Sequence, residues 1–483
     1  MRLFFGFSSL IFIKSDLITA FFWFHLPKNP TISAINPFKR PTAPKTALML
    51  AQANSLDFLR VFLYTFFLVV MDRLARPTAL FLSRLLQLFL SLGFFYFFHQ
   101  EKNMCRLALK TANEPFSPYT VLTAMEAMKE GYDGSGLGLL LRGMEFEDFK
   151  YNPKFPILSG IAHSKSAELR LDEYMDSHGY ELKYDHRFTM APEIMKEKKR
   201  YRYFLRAYRM PEEYKEKSLT DRESELLSTR LALRKIGEDN GGDLTVFSFY
   251  PDVAVIKEVG WPMEIGNMLS LWDNQIKSRI CMAQGRQNTN YGINLYACHP
   301  FFIQGIATMT NGENTAFVPI RDWLKGRGFP GYIGYESDSE VFTHLLHYTL
   351  KTMKLPLQAY KHVITPLSTK ELDQHPQGEF LKGLRTACRR LIIDGPNAVI
   401  GTLPDETCLL VMDQKKLRPA LVGGHEGEWA IASELCGVDA MIPGRDKSLD
   451  FQPMREHTVI IPPNRKELTI WSQHDPLLLP QAA

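Results

Sequence analysis

The chain has 483 residues, 45 % of them apolar, with 57 basic against 53 acidic side chains and a formal charge of +4. That is the composition of a folded protein with one large core or two modest ones, and so small and scattered a basic excess argues against a nucleic-acid footprint. Six cysteines (Cys105, Cys281, Cys298, Cys388, Cys408 and Cys436) lie far apart with no C-x-x-C pair. Neither a disulfide framework nor a metal site is indicated, and a reducing cytoplasm fits best.

The composition breaks sharply near residue 100. The first hundred residues hold 18 of the 33 phenylalanines but only three acidic residues, Asp16, Asp57 and Asp72. The apolar stretches from Val61 to Met71 and from Leu85 to Phe98 fall short of the roughly 18 to 20 residues a spanning helix needs. Arg60, Arg73, Arg76 and Arg84 punctuate them further. A signal peptide fits poorly, because Lys14 and Asp16 interrupt the first apolar run. Residues 1–103 are therefore expected to be a hydrophobic leader, translated from too early a start or else removed or disordered. A membrane anchor and a removable propeptide are the other readings. The folded domain is expected over residues 104–483.

From Cys105 the pattern becomes regular. A strand-like run covers Cys105 to Lys110; Ser117 and Pro118 then open a helix, with Val121, Leu122, Met125 and Met128 on its core face and Gly131 as its stop. The glycine-rich loop Gly131-Tyr-Asp-Gly-Ser-Gly-Leu-Gly138 leads into a strand at Leu137 to Leu141. It is not a phosphate loop, since no Gly-Lys-Ser/Thr follows it. Residues from about 150 to 240 are richly charged and read as a helical insertion, notably Asp221 to Ile236. Strands are expected at Leu244 to Tyr250 and Arg279 to Gln284. Four more, Ala398 to Leu403, Cys408 to Asp413, Pro419 to Gly423 and Glu428 to Ser433, read as one antiparallel meander.

Chemistry can begin at Met104-Cys105. An amino-terminal cysteine carries its own base, an α-amine of pKa about 7.7 to 8 beside a thiol of about 8.5, provided that the amine is free. Several short motifs follow in order: Gly134-Ser-Gly-Leu-Gly138, Arg286-Gln-Asn-Thr289, Asn311-Gly312-Glu313, Ser337-Asp-Ser-Glu340, Leu417-Arg-Pro419 and Ala432-Ser-Glu434. Each has an ordinary structural explanation when taken alone. Asn-Gly is the commonest hairpin pair, Ser337-x-x-Glu340 is a capping box, and Arg286 could be a surface ion-pair partner.

Taken together, the series resembles class II glutamine amidotransferases of the glutamate-synthase type, which have the amino-terminal-nucleophile fold. The likeness spans nearly all of residues 105 to 445. It implies an α+β fold, a four-layer αββα sandwich with a helical insertion, and Cys105 as the nucleophile. It further implies that Asn311 and the Gly312 backbone form an oxyanion hole, and that Arg286, Thr289 and Asp338 hold the α-carboxylate and α-ammonium of L-glutamine. An amino-acid substrate presents those two charges at one end, so a fixed guanidinium and a fixed carboxylate suit it. Two positions depart from the family pattern. Gln284-Gly-Arg286 stands where the family often has His-x-Arg, and Thr310-Asn-Gly312 where it often has His-Asn-Gly. His299, His344 and His425 show no catalytic or metal-ligand spacing and read as structural or surface residues.

The reaction that the resemblance implies is hydrolysis of L-glutamine to glutamate and ammonia through a cysteinyl thioester. The stretch after residue 445 is expected to be too short for an ammonia acceptor. The acceptor is expected on partner subunits of a glutamate synthase, namely an FMN-bearing synthase subunit, with iron–sulfur chemistry, and a glycine-repeat β-helix subunit. This chain itself is expected to hold no cofactor or metal. An N-methylglutamate synthase is the neighbouring alternative, and a membrane-anchored regulatory protein without catalysis is the alternative of a different class.

Overall fold

The computed structural model describes residues 105–130, 132–188, 192–286, 294–330 and 337–479. The leader expected over residues 1–103, the helix stop Gly131 and the site candidate Thr289 lie outside these. Among the described residues, no helix is long and apolar enough to cross a membrane.

Sixteen strands follow one another along the described chain. They are β1 (Arg106–Phe116), β2 (Leu137–Phe146), β3 (Pro156–Ala162), β4 (Glu181–Arg187), β5 (Arg202–Arg209), β6 (Leu244–Pro251), β7 (Val253–Glu258), β8 (Ile276–Gly285), β9 (Phe301–Ile303), β10 (Ile306–Gly312), β11 (Asn397–Thr402), β12 (Cys408–Met412), β13 (Leu421–His425), β14 (Glu428–Ala432), β15 (His457–Ile461) and β16 (Thr469–Ser472). Ten of them form one sheet in the order β13-β14-β1-β8-β2-β7-β6-β3-β5-β4, and six form a second in the order β16-β15-β12-β11-β10-β9. Every recorded strand pairing is antiparallel.

Strand alternation sorts the side chains into layers. In β10 and β11, Ala307, Met309, Ala398 and Ile400 share a core with Leu107, Leu109 and Met282 of the larger sheet, whereas Ile306 and Val399 join a second core with the helices Glu340–His347, Ala359–Ile364 and Gly378–Ala387. The helices Tyr119–Ala127, Pro262–Met268 and Leu435–Met441 pack together, with the first and last against β1 of the larger sheet. The architecture is thus helix, sheet, sheet, helix, the four-layer α+β arrangement that the resemblance implies. Full burial of each large apolar side chain in these cores contributes about 1.5–3 kcal/mol.

Two expectations need correcting. The segment from 150 to 240 is not a helical insertion: alongside the helices Lys165–Ser177 and Leu219–Asp239 it carries β3, β4 and β5, which extend the larger sheet to its edge. Their charge density disguised them. Arg206, 3 % exposed within β5, bonds Asp172 (2.6 Å), Asp185 and Glu168, and Arg202 reaches Asp185 (2.6 Å) and Glu168. Side chains that look solvated in sequence are instead paired across strand and helix. The four late strands are likewise not one meander. β11 and β12 lie in the smaller sheet, while β13 and β14 form a hairpin that joins β1 in the larger one.

Candidate active site

The start of β1 is clamped from several sides. Arg106 donates from Nε to the Met128 carbonyl (2.9 Å) and pairs with Glu434 (3.0 Å), while the Leu107 amide donates to Ser433 Oγ (2.9 Å). The Ala432-Ser-Glu434 segment thus anchors the two residues that follow Cys105. Its reach across the chain is supplied by β14, which pairs with β1 in register Ala108 to Ala432. Cys105 itself is partly exposed at the head of the strand.

Register then determines what Cys105 faces. Arg106 lies opposite Gly285 and Leu107 opposite Gln284. Arg106 points to the helical layer, since it bonds the end of the helix Tyr119–Ala127, and a Cβ on Gly285 would meet Met125 there at 3.1 Å. Leu107 and Gln284 therefore point the other way, toward the smaller sheet, and alternation gives Cys105 the same side. Gln284 confirms the direction by donating from Nε2 to the Thr310 carbonyl of β10 (3.1 Å). Asn311 follows Thr310 and shares the face of Met309 and Ala307, which look back at the larger sheet. Cys105 and Asn311 thus enter the space between the sheets from opposite walls, at the same end.

Asn311 is 1 % exposed, and its Nδ2 has no hydrogen-bond partner among the described residues. A buried donor left without an acceptor costs about 1–3 kcal/mol, and an oxyanion placed there would recover it. Neither Asn311 nor Gly312 forms a hairpin turn: both are ladder residues, opposite Ala398 and Asn397. A Cβ on Gly312 would sit 2.2 Å from the Pro396 carbonyl oxygen and 2.6 Å from Asn397 Cα, so the close approach of this backbone requires glycine. Asp413 secures the same corner by accepting the Asn397 amide (2.7 Å).

Arg286 is 5 % exposed and continues β8 beyond Gly285, next to the strand head that carries Cys105. Its amide donates to the Gly136 carbonyl (2.7 Å), and Ser135 Oγ donates to its carbonyl (3.1 Å). The glycine-rich loop is thus the cradle of Arg286. Gly134 takes a positive φ of 72°, and a Cβ on Gly138 would lie 1.6 Å from the His299 carbonyl oxygen. Because that obstacle is backbone, Gly138→Ala is expected to destabilise the protein by about 1–3 kcal/mol or more. A lowered urea midpoint would register the change; an unaltered midpoint would mean that β2 and the His299 segment are not in contact.

Asp338 is tied to the same end, because its Oδ2 accepts the Asn314 amide (2.7 Å) two residues past Gly312. The helix beginning at Glu340 has Ser339 as N-cap with no side-chain cap bond, so the capping-box alternative for Ser337 and Glu340 is not realised. Burial pushes the Asp338 carboxyl above its ordinary value, with the Asn314 amide opposing the rise. Behind Arg286, burial raises the Cys298 thiol while Lys257 and Arg286 oppose that rise, and burial brings Lys257 down to about 8. His299 is held well below the ordinary histidine range by burial, with Lys257 and Arg286 adding to the effect.

The structure therefore brings Cys105, Asn311, Gly312, Arg286 and Asp338 to one end of the sandwich. Sequence reading missed Gln284 and His299 as contributors to this corner. Their role depends on a bond between sheets and on a register offset, which no spacing motif encodes.

No family model matches the sequence, and no curated protein does. Among solved structures, the chain is similar to the glutamine phosphoribosylpyrophosphate amidotransferase from B. subtilis complexed with ADP and GMP, at 11 % identity and a TM-score of 0.39, over 76 % of this chain and 49 % of that one. A second structure, described as the allosteric regulatory enzyme of purine biosynthesis, matches at 11 % identity and a TM-score of 0.39, over 76 % of this chain and 48 % of that one. The chain spans about half the length of either.

Proposed function

We propose that the protein is a class II glutamine amidotransferase that hydrolyses the side-chain amide of L-glutamine with Cys105 as nucleophile. The observation that carries this reading is the buried Asn311 Nδ2, without a partner among the described residues, facing the wall from which Cys105 enters. In the proposed reaction, the Cys105 thiol loses its proton to its own α-amine, directly or through water, and the sulfur adds to the amide carbon. Charge then grows on the amide oxygen, where the Asn311 amide and the Gly312 backbone N–H receive it. Collapse expels ammonia with the proton returned by the amine, and water hydrolyses the γ-glutamyl thioester to glutamate.

At the other end of the substrate, Arg286 takes the α-carboxylate and Asp338 the α-ammonium. Thr289 belongs to the same proposal as a further substrate contact. The ammonia is delivered to a partner of the glutamate-synthase type, with an FMN-bearing synthase subunit and a glycine-repeat β-helix subunit. This partner assignment rests on the family resemblance alone, and a cytoplasmic location is proposed from the widely spaced cysteines.

Asp338→Asn provides the test of substrate orientation. Removing one member of a buried charge pair costs about 2–5 kcal/mol, so KM for glutamine should rise by roughly 30-fold or more, with kcat changed far less. Only ionised Asp338 attracts the ammonium. In the unaltered protein, KM should therefore climb as pH falls through the raised pKa of this carboxyl, at a pH above its ordinary 3.8. KM in the variant should be high and flat over the same range. An unchanged KM in Asp338→Asn would remove this residue from the site.

A further inference from the structure

The backbone of β10 changes partners just before Asn311. β9 pairs with β10 in the register Ile303 to Ile306, Phe302 to Ala307 and Phe301 to Thr308, and its ladder ends there. Pro300 comes next and has no N–H to give. Extending the register by two places sets His299 opposite Thr310. Its ring replaces the missing ladder, with Nδ1 accepting the Thr310 amide at 3.0 Å. From the other sheet, Gln284 Nε2 donates to the carbonyl of the same residue at 3.1 Å. Both backbone polar groups of Thr310 are thus held by side chains from outside its own hairpin.

We propose that His299 and Gln284 are positioning residues for the oxyanion site: together they fix the Thr310 backbone so that the next residue, Asn311, aims its amide into the space between the sheets. Neither touches the reacting atoms in this account. The inference rests on the glutaminase reading above and adds to it the means by which the oxyanion donor is aimed.

The surroundings show that the pair is itself fixed. His299 is 4 % exposed, its ring tilts against Phe301 at 4.6 Å between centroids, and its carbonyl is crossed so closely by Gly138 that no Cβ would fit. Lys257 Nζ donates to the preceding carbonyl, that of Cys298, at 2.5 Å. Accepting an N–H at Nδ1 requires that nitrogen to carry no proton, and the burial of the ring beside Lys257 and Arg286 keeps it neutral. Gln284 is fully buried. These residues also occupy or adjoin the two places where the chain departs from the family pattern, Gln284 and Thr310. A Gln–Thr backbone bond joins those two positions.

The test is a double-mutant cycle on glutamine hydrolysis, in protein purified from its native cells with the changes made in the native gene. His299→Ala and Gln284→Leu are each expected to lower kcat on the order of 10-fold, less than the 10²–10³-fold of losing an oxyanion donor outright. KM should move by less than about twofold, since the α-carboxylate and α-ammonium contacts are untouched. His299→Asn, whose side-chain oxygen can accept the Thr310 amide, should recover most of kcat. In an Asn311→Ala background, His299→Ala should cause almost no further loss, because the donor it aims is already gone. Multiplicative losses in the double variant would overturn the proposal while leaving the glutaminase reading intact. So would a His299→Asn protein with an unchanged melting temperature and no better kcat than His299→Ala. Absence of glutamine hydrolysis by the unaltered protein would overturn the functional reading and this inference with it.

Discussion

Replacing Cys105 by alanine is expected to reduce glutamine hydrolysis to background, a loss of at least roughly 10³-fold in kcat, because no other group in the proposed site can form the thioester. Among the other described cysteines, Cys281, Cys298, Cys388 and Cys408 are buried, and burial raises the thiols of Cys281 and Cys298. Neither of those two is primed as a thiolate. Cys436 is exposed on the helix Leu435–Met441, and burial together with Glu434 raises its thiol as well. The variant should keep its fold, since Cys105 precedes the ladder and the clamps on Arg106 and Leu107 do not involve its side chain. Ammonia release assayed with glutamine checks the prediction. Retained turnover would mean that the nucleophile is elsewhere.

Asn311→Ala is expected to lower kcat by about 10²–10³-fold, equivalent to roughly 2.7–4 kcal/mol of transition-state stabilisation, with KM little affected. The reasoning is differential. The Asn311 amide is buried without an acceptor among the described residues, and in the proposed reaction it gains one only when negative charge forms on the substrate oxygen. Deleting it removes a bond made in the transition state while relieving an unsatisfied donor in the ground state. The variant should therefore be as stable as the parent or slightly more so, an unusual pairing for a buried polar residue. Thermal midpoints and steady-state kinetics on the same samples read both halves. A large loss of stability would instead make Asn311 a structural residue.

Much of the chain's local structure was legible because it follows simple periods. The core face at Val121, Leu122 and Met125 is helical and buried as the spacing predicts, and the helix expected at Asp221 to Ile236 runs from Leu219 to Asp239. The strand after the glycine loop begins at Leu137, as read, and continues to Phe146. What local pattern does not carry is which sheet a strand joins. β11 and β14 are both short and largely apolar, yet one pairs with β10 and the other with β1, more than 300 residues earlier. Charged strands such as β5 were hidden because Arg206 and Arg202 meet their carboxylates only in three dimensions.

The candidate site shows the same division. Residue types at Cys105, Arg286, Asn311 and Asp338 announced a possible amino-acid site, but Asn311-Gly312 also looked like a turn and Ser337 to Glu340 like a cap. The ladder register and the steric demand at Gly312 exclude the turn, and the Asp338 bond to Asn314 gives the carboxylate a place beside the Asn311–Gly312 corner. His299 carried no readable signal beyond the proline after it. Only the register offset across β9 and β10 shows why an imidazole stands where a ladder partner is missing.

The amino-terminal sequence and intact mass of the protein purified from its native cells test the central claim most directly, since the proposed base is the α-amine of Cys105. The account predicts a chain that begins at Cys105 with that amine unmodified. A mature, glutamine-hydrolysing chain that still begins at Met1 would contradict it, because Cys105 would then have no amine to act as its base.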